Sequence, residues 1–197
     1  MPDCSRDGRI TWELYGPGDY TQAHDLAAAE PYRSHSVTAE VEVGDGGASG
    51  VIIAQGGSFG GWSLYAIDGH PRYCHNLLGL RRFTVAGVKT IPAGVHQVRM
   101  EFAAAGQTLG TGGIATLYLD GVPIGTGDIE ATVPLIYSGD ETLDLGSDLG
   151  TPVSDQYPPR GNEFTGTVRW VQIEIGDENA DHLVHPEDRM RIIMARQ

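Results

Sequence analysis

Apolar and polar positions alternate along much of this chain. From Ser36 to Val43, Val37, Ala39, Val41 and Val43 fall on one side and Thr38, Glu40 and Glu42 on the other, the period of a half-buried β-strand. His96 to Phe102 repeats the pattern, with Val98, Met100 and Phe102 opposite Gln97, Arg99 and Glu101. So does Phe164 to Ile175, where Val171, Ile173 and Ile175 alternate with Trp170, Gln172 and Glu174. Between them lies Gly50 to Gly79, GVIIAQGGSFGGWSLYAIDGHPRYCHNLLG, which reads as three strands joined by glycine turns, one of them Asp68-Gly69. Arg82 to Val85 and Ile114 to Leu119 add strands, and Asp120-Gly121 turns the chain into Val122 to Gly127. Leu135-Ile136-Tyr137 is a further short apolar run.

Well-marked faces on strands far apart in sequence predict two packed antiparallel sheets, an all-β jelly-roll sandwich. Three regions follow: an irregular lead-in over 1–34, the sandwich over 35–178, and a tail over 179–197. The lead-in shows no sustained period, and its helix formers at Thr21 to Glu30 span only one or two turns. In the tail, Pro186-Glu187-Asp188 opens a short C-terminal helix whose stripe is Met190, Ile193 and Met194. That stripe docks on the sandwich or on another domain.

Composition narrows the partners. The 26 acidic residues outnumber the 13 lysines and arginines, for a net charge of -13, so a nucleic acid or an anionic membrane would be repelled. No apolar run approaches the roughly 20 residues that span a bilayer. The opening MPDCSRDGRITWEL lacks the apolar core of a secretory signal, which makes the cytoplasm the default compartment. Cys4 and Cys74 are expected to be reduced thiols. The 28 glycines and 11 prolines fall between apolar segments, where they punctuate turns.

Five stretches then resemble a known family: GVIIAQGGSFGGWSLY, the GHPRYCHNLLGL of Gly69 to Leu80, GGIATLYLDG, SGDETLDLGSDLGTPVSDQYPPRGNEFTGTVRWVQIEIG and DHLVHPEDRMRIIMARQ. Together, over residues 35–197, they are similar to the C-terminal region of large bacterial arylsulfatases. The resemblance implies a concanavalin A-like, laminin-G-like sandwich and a sulfatase domain as a packing partner. It does not carry the sulfatase reaction. Cys4 is followed by Ser-Arg-Asp-Gly and Cys74 by His-Asn-Leu-Leu, so neither sits in a Cys-x-Pro-x-Arg motif.

Candidate chemistry gathers in a few places. Trp62, Tyr65, Tyr73, His75, Asn76 and Arg82 lie on neighbouring strands, and those of one parity share a face. Aromatics beside amide, imidazole and guanidinium groups suit a sugar or an aromatic ligand. His75 is the candidate general acid or base, since imidazole titrates near neutral pH. Asp140, Glu141, Asp144, Asp148 and Asp155 crowd one loop and are candidate oxygen ligands for calcium; no other cofactor is required. Gly56 to Gly60 spells G-x-S-x-G, yet a strand and not a helix follows it, against a nucleophile elbow. Gly106 to Gly113 has no lysine and is no P-loop. His182 and His185 read as polar residues ahead of the tail helix, and Glu174 to Glu178 lacks the E-x-D-x-E order of jelly-roll glycosidases. Three functions are consistent with these residues: a non-catalytic domain binding a small molecule or carbohydrate, a small isomerase, cyclase or lyase working through His75, and a homo-oligomer assembly element acting through the tail helix.

Overall fold

The alternating segments pair as their pattern predicts. The computed structural model describes residues 33–134, 142–176, 182–187 and 190, with the backbone of three short strands ahead of them. In chain order the strands are β1 (Asp3–Cys4), β2 (Ile10–Leu14), β3 (Gly18–Asp19), β4 (His35–Val43), β5 (Gly50–Gly57), β6 (Gly60–Ile67) and β7 (His70–Leu77). There follow β8 (Arg81–Ala86), β9 (Gly94–Ala104), β10 (Thr111–Leu119), β11 (Val122–Ala131), β12 (Leu143–Leu145) and β13 (Thr167–Ile175). They form a seven-stranded sheet in the order β1-β2-β13-β4-β9-β10-β11 and a six-stranded sheet in the order β3-β12-β5-β6-β7-β8. Neighbours within both sheets run antiparallel.

The main core lies between the sheets. Val37, Ala39, Val41, Val98, Met100, Phe102, Leu117, Val171 and Ile173 come from the seven-stranded sheet; Ile52, Ile53, Trp62, Leu64, Tyr73, Phe83 and Val85 come from the other. Alternation selects them: the residues between, such as Thr38, Arg99 and Gln172, go to the outer face.

Turn chemistry is equally local. Asp68 (φ 50) with Gly69 (φ 81), and Asp120 (φ 49) with Gly121 (φ 75), are left-handed pairs, as two-residue hairpins require. The G-x-S-x-G letters make a hairpin turn between β5 and β6, with Ser58 donating its N–H to Thr151. Here the two backbones run too close for side chains. A Cβ on Gly56 would strike the carbonyl oxygen of Gly60, and one on Gly61 the carbonyl oxygen of Gln55.

Three expectations need correction or fall outside the described residues. The lead-in is not wholly irregular, because β1, β2 and β3 lie within it and β2 pairs with β13. Its Ile10-Thr11-Trp12-Glu13-Leu14 is itself a period-2 run, too short to stand out from its surroundings. Strand β12 is a further addition: Leu143-Asp144-Leu145 sits inside the acidic loop. Helical backbone at Pro186, Glu187 and Met190 marks the start of the expected tail helix; Ile193, Met194, the run Leu135–Tyr137 and the helix formers at 21–30 lie outside the described residues. No described helix is long and apolar enough to cross a membrane.

Candidate functional site

The six residues expected to share one ligand face divide between two. Trp62 pairs with His75 and Leu64 with Tyr73 across β6 and β7, which turns Trp62, Tyr73 and His75 inward, between the sheets. Trp62 donates its indole N–H to Gln55 Oε1 at 2.9 Å. His75 is 2% exposed, and burial lowers its pKa to about 3, with His35 across the core adding to the effect. A neutral imidazole enclosed in the core does not suit the acid–base role expected of it.

Tyr65, Asn76 and Arg82 point the other way, to the outer face of the six-stranded sheet, where the chain from 146 to 162 lies over them. Tyr65 donates to Gln156 Oε1 at 3.0 Å, lies 3.2 Å from Ser154 Oγ and meets Tyr157 edge to face at 5.0 Å. Burial raises its phenol pKa to about 12. Arg82 Nε donates to the Val153 carbonyl at 2.9 Å. Asn76 stitches two turns: its Nδ2 reaches Gly57 O and Ser58 O, and its Oδ1 accepts from Gly79 N, steadying the left-handed Leu78 (φ 54). Val51, Ala54, Tyr65, Cys74, Val153 and Tyr157 make a second apolar cluster beneath this loop. The face is sealed by its own chain, and Cys74, a free thiol, is buried within it.

The acidic loop uses its carboxylates on itself. Asp144 accepts from Thr142 Oγ1 (2.6 Å) and Leu149 N (2.8 Å). Asp148 Oδ2 accepts from Val153 N (3.0 Å) and the Tyr157 hydroxyl (2.6 Å), and Asn162 bonds Asp148's backbone at both ends. Asp155 is exposed; Asp140 and Glu141 lie outside the described residues. Among the described residues, no three carboxylate, histidine or cysteine side chains converge as a metal set would.

A different constellation forms on the outer face of the seven-stranded sheet. Three rows cross it in register: Gln172, Thr38, Arg99 and Tyr118; Glu174, Ser36, Glu101 and Thr116; Trp170, Glu40 and Gln97. Arg99 is the hub, 2% exposed, although an outer sheet face is ordinarily solvated. Its Nε donates to Glu101 Oε1 at 2.6 Å, and its Nη1 to Thr38 Oγ1 at 2.7 Å and Glu174 Oε2 at 3.4 Å. Among the described residues the buried Gln172 Oε1 has no donor. A buried ion pair of this kind adds little net stability, but it fixes the geometry of every group it touches.

The tail completes the picture. His182 Nδ1 lies 2.9 and 3.0 Å from the two Glu101 oxygens, and its ring stacks on Tyr118 at 4.3 Å and 12°. The Gln97 amide clasps Val184, donating to its carbonyl at 2.9 Å and accepting its N–H at 3.0 Å. Reading the sequence places Arg99, Gln97, Glu101, Trp170, Gln172 and Glu174 on polar strand sides but does not join them. The available signal was the bulk and hydrogen-bonding capacity of those sides, beyond what a solvated sheet face needs.

No protein-family model and no curated relative matches the chain. Solved structures do. The CBM40 of a Ruminococcus gnavus IT-sialidase, solved with bound alpha2,3 sialyllactose, is 15% identical with a TM-score of 0.58, over 93% of this chain and 95% of that one. The leech intramolecular trans-sialidase is 12% identical with a TM-score of 0.59, over 88% of this chain and 26% of its own. The NanB sialidase from Streptococcus pneumoniae is 9% identical with a TM-score of 0.56, over 92% and 27%. None of these three is an arylsulfatase; what they share with the expected relative is the sandwich. At such identities the likeness speaks for fold. The chain is an all-β, concanavalin A-like sandwich of two antiparallel sheets, similar in fold to these sialidase domains.

Proposed function

We propose that this protein is a non-catalytic carbohydrate-binding domain, and that its ligand docks on the outer face of the seven-stranded sheet around Arg99. The supporting observation is the makeup of that face: guanidinium, amides and carboxylates held nearly out of solvent, beside the rings of Trp170 and Tyr118. Sugars are recognised by this combination, a ring to stack on and rigid donors and acceptors for paired hydroxyls. Gln172 Oε1 supplies a buried acceptor with no partner among the described residues. Two sialidases of similar fold match over about a quarter of their length, and the R. gnavus domain was solved holding sialyllactose. An acidic sugar would present its carboxylate to Arg99, so sialyllactose is the first probe and lactose its neutral control.

The test is a titration of 3′-sialyllactose, 6′-sialyllactose and lactose followed by amide NMR shifts. Saturable shifts on β4, β9 and β13, reduced at least tenfold in affinity by Gln172→Ala, are expected. Shifts confined to the six-stranded sheet, or silence toward a broad glycan panel, would overturn the assignment.

A further inference from the structure

On the carbohydrate reading just given, we infer that His182–Val184 is a displaceable cover of the binding face, seated as an internal stand-in for the sugar. Its contacts are of the kind a saccharide would make. A flat ring lies on Tyr118, a ring N–H faces both oxygens of Glu101, and Gln97 exchanges two reciprocal hydrogen bonds with one backbone unit. Protein side chains that normally bind a peptide group and an imidazole in this way also bind vicinal hydroxyls, because donors and acceptors are spaced alike.

Among the described residues, this segment is seated by one buried side chain, whereas the loop over the opposite face buries Val153, Ser154 and Tyr157. Within His182–Val184 only Val184 is fully buried; His182 and Leu183 are half-exposed, and the following residues, His185 to Glu187, are exposed. His182 also adopts a left-handed backbone (φ 51), which a side chain other than glycine enters at a cost. The seated cover leaves the buried Gln172 Oε1 without a partner among the described residues, so it satisfies the face only in part. A ligand that donates to that oxygen has an advantage over it. Sugar and tail therefore compete, and the affinity observed is the intrinsic one reduced by the fraction of molecules with the face open.

The experiment uses the full chain in three forms: unaltered, His182→Ala, and Val184→Gly as a second variant acting through a different contact. 3′-Sialyllactose affinity is measured for each, and exchange of the Val184 amide hydrogen, bonded to Gln97 Oε1, is followed with and without saturating sugar. About a tenfold tighter affinity in either variant is expected, equivalent to about 1.4 kcal/mol. In the unaltered chain the Val184 amide should exchange slowly alone and rapidly when sugar is bound. Equal or weaker affinity in both variants, with Val184 still protected in the complex, overturns the cover and leaves the sugar site standing. Failure of all three forms to bind overturns the sugar site and the cover with it.

Discussion

Each sheet carries part of its own chain across its outer face, but the two coverings are built from opposite materials. Over the six-stranded sheet, Val153 and Tyr157 close an apolar cluster with Val51, Ala54, Tyr65 and Cys74, and the Tyr157 hydroxyl is bonded inside the seal. Over the seven-stranded sheet, the described residues of the covering are a buried valine, a histidine ring stacked on Tyr118 and polar contacts, resting on a layer of arginine, glutamine and glutamate. Burying apolar area stabilises by roughly 25 cal/mol per Å², whereas each exchanged hydrogen bond nets about 1 kcal/mol. The first covering is therefore an extension of the core. The second is a contact that a competing ligand can replace.

The sharpest way to break this contrast is to cut into each side. Tyr157→Ala removes a buried ring together with the hydroxyl that donates to Asp148 and lies 3.0 Å from Ser63 Oγ, and should lower stability by about 3–5 kcal/mol in urea denaturation. A loss under about 1 kcal/mol would mean the loop is no part of the core. Arg99→Ala removes the guanidinium that pairs Glu101 and Glu174 and should cost about 3 kcal/mol while abolishing glycan binding, read by melting temperature and titration together.

Acid probes the shared core beneath both coverings. The unfolded chain protonates His75 near 6.5, whereas burial delays this to about 3 in the folded chain. Between those values the unfolded state holds more protons, so stability falls as pH falls, by about 1.4 kcal/mol per unit. His35, whose pKa burial also lowers, acts in the same direction. His75→Gln should flatten the slope between about pH 6.5 and 4; an unchanged slope would assign it to other groups. The smallest effect belongs to the tail. Gln97→Ala should cost about 1 kcal/mol or less, a shift in melting temperature of a few degrees, because it removes two hydrogen bonds and no large apolar group.

The sandwich was legible because its signals are local. The alternations at Ser36–Val43 and His96–Phe102 and the Asp-Gly turns each lie within a few residues, and each appears as β4, β9 or a hairpin. The Arg99 face was not, because its members meet only through strand order: Arg99 is 61 residues from Thr38 and 75 from Glu174. Parity already separated Tyr73 and His75 from Cys74 and Asn76. It could not say that one set would enter the core and the other would be sealed by a loop some 70 to 90 residues further on, as the bonds from Arg82 to Val153 and from Tyr65 to Ser154 show.

The close approach at Gly56 and Gly61 sets where this molecule can be re-engineered. Since even a methyl group there meets main-chain oxygen, a saturation library across the β5–β6 hairpin would return those codons unaltered. Gly44 and Gly46, where an added methyl would meet nothing within 4 Å, offer the opposite: a site for tags, dyes or immobilising handles, placed in the β4–β5 connection and leaving the Arg99 surface untouched.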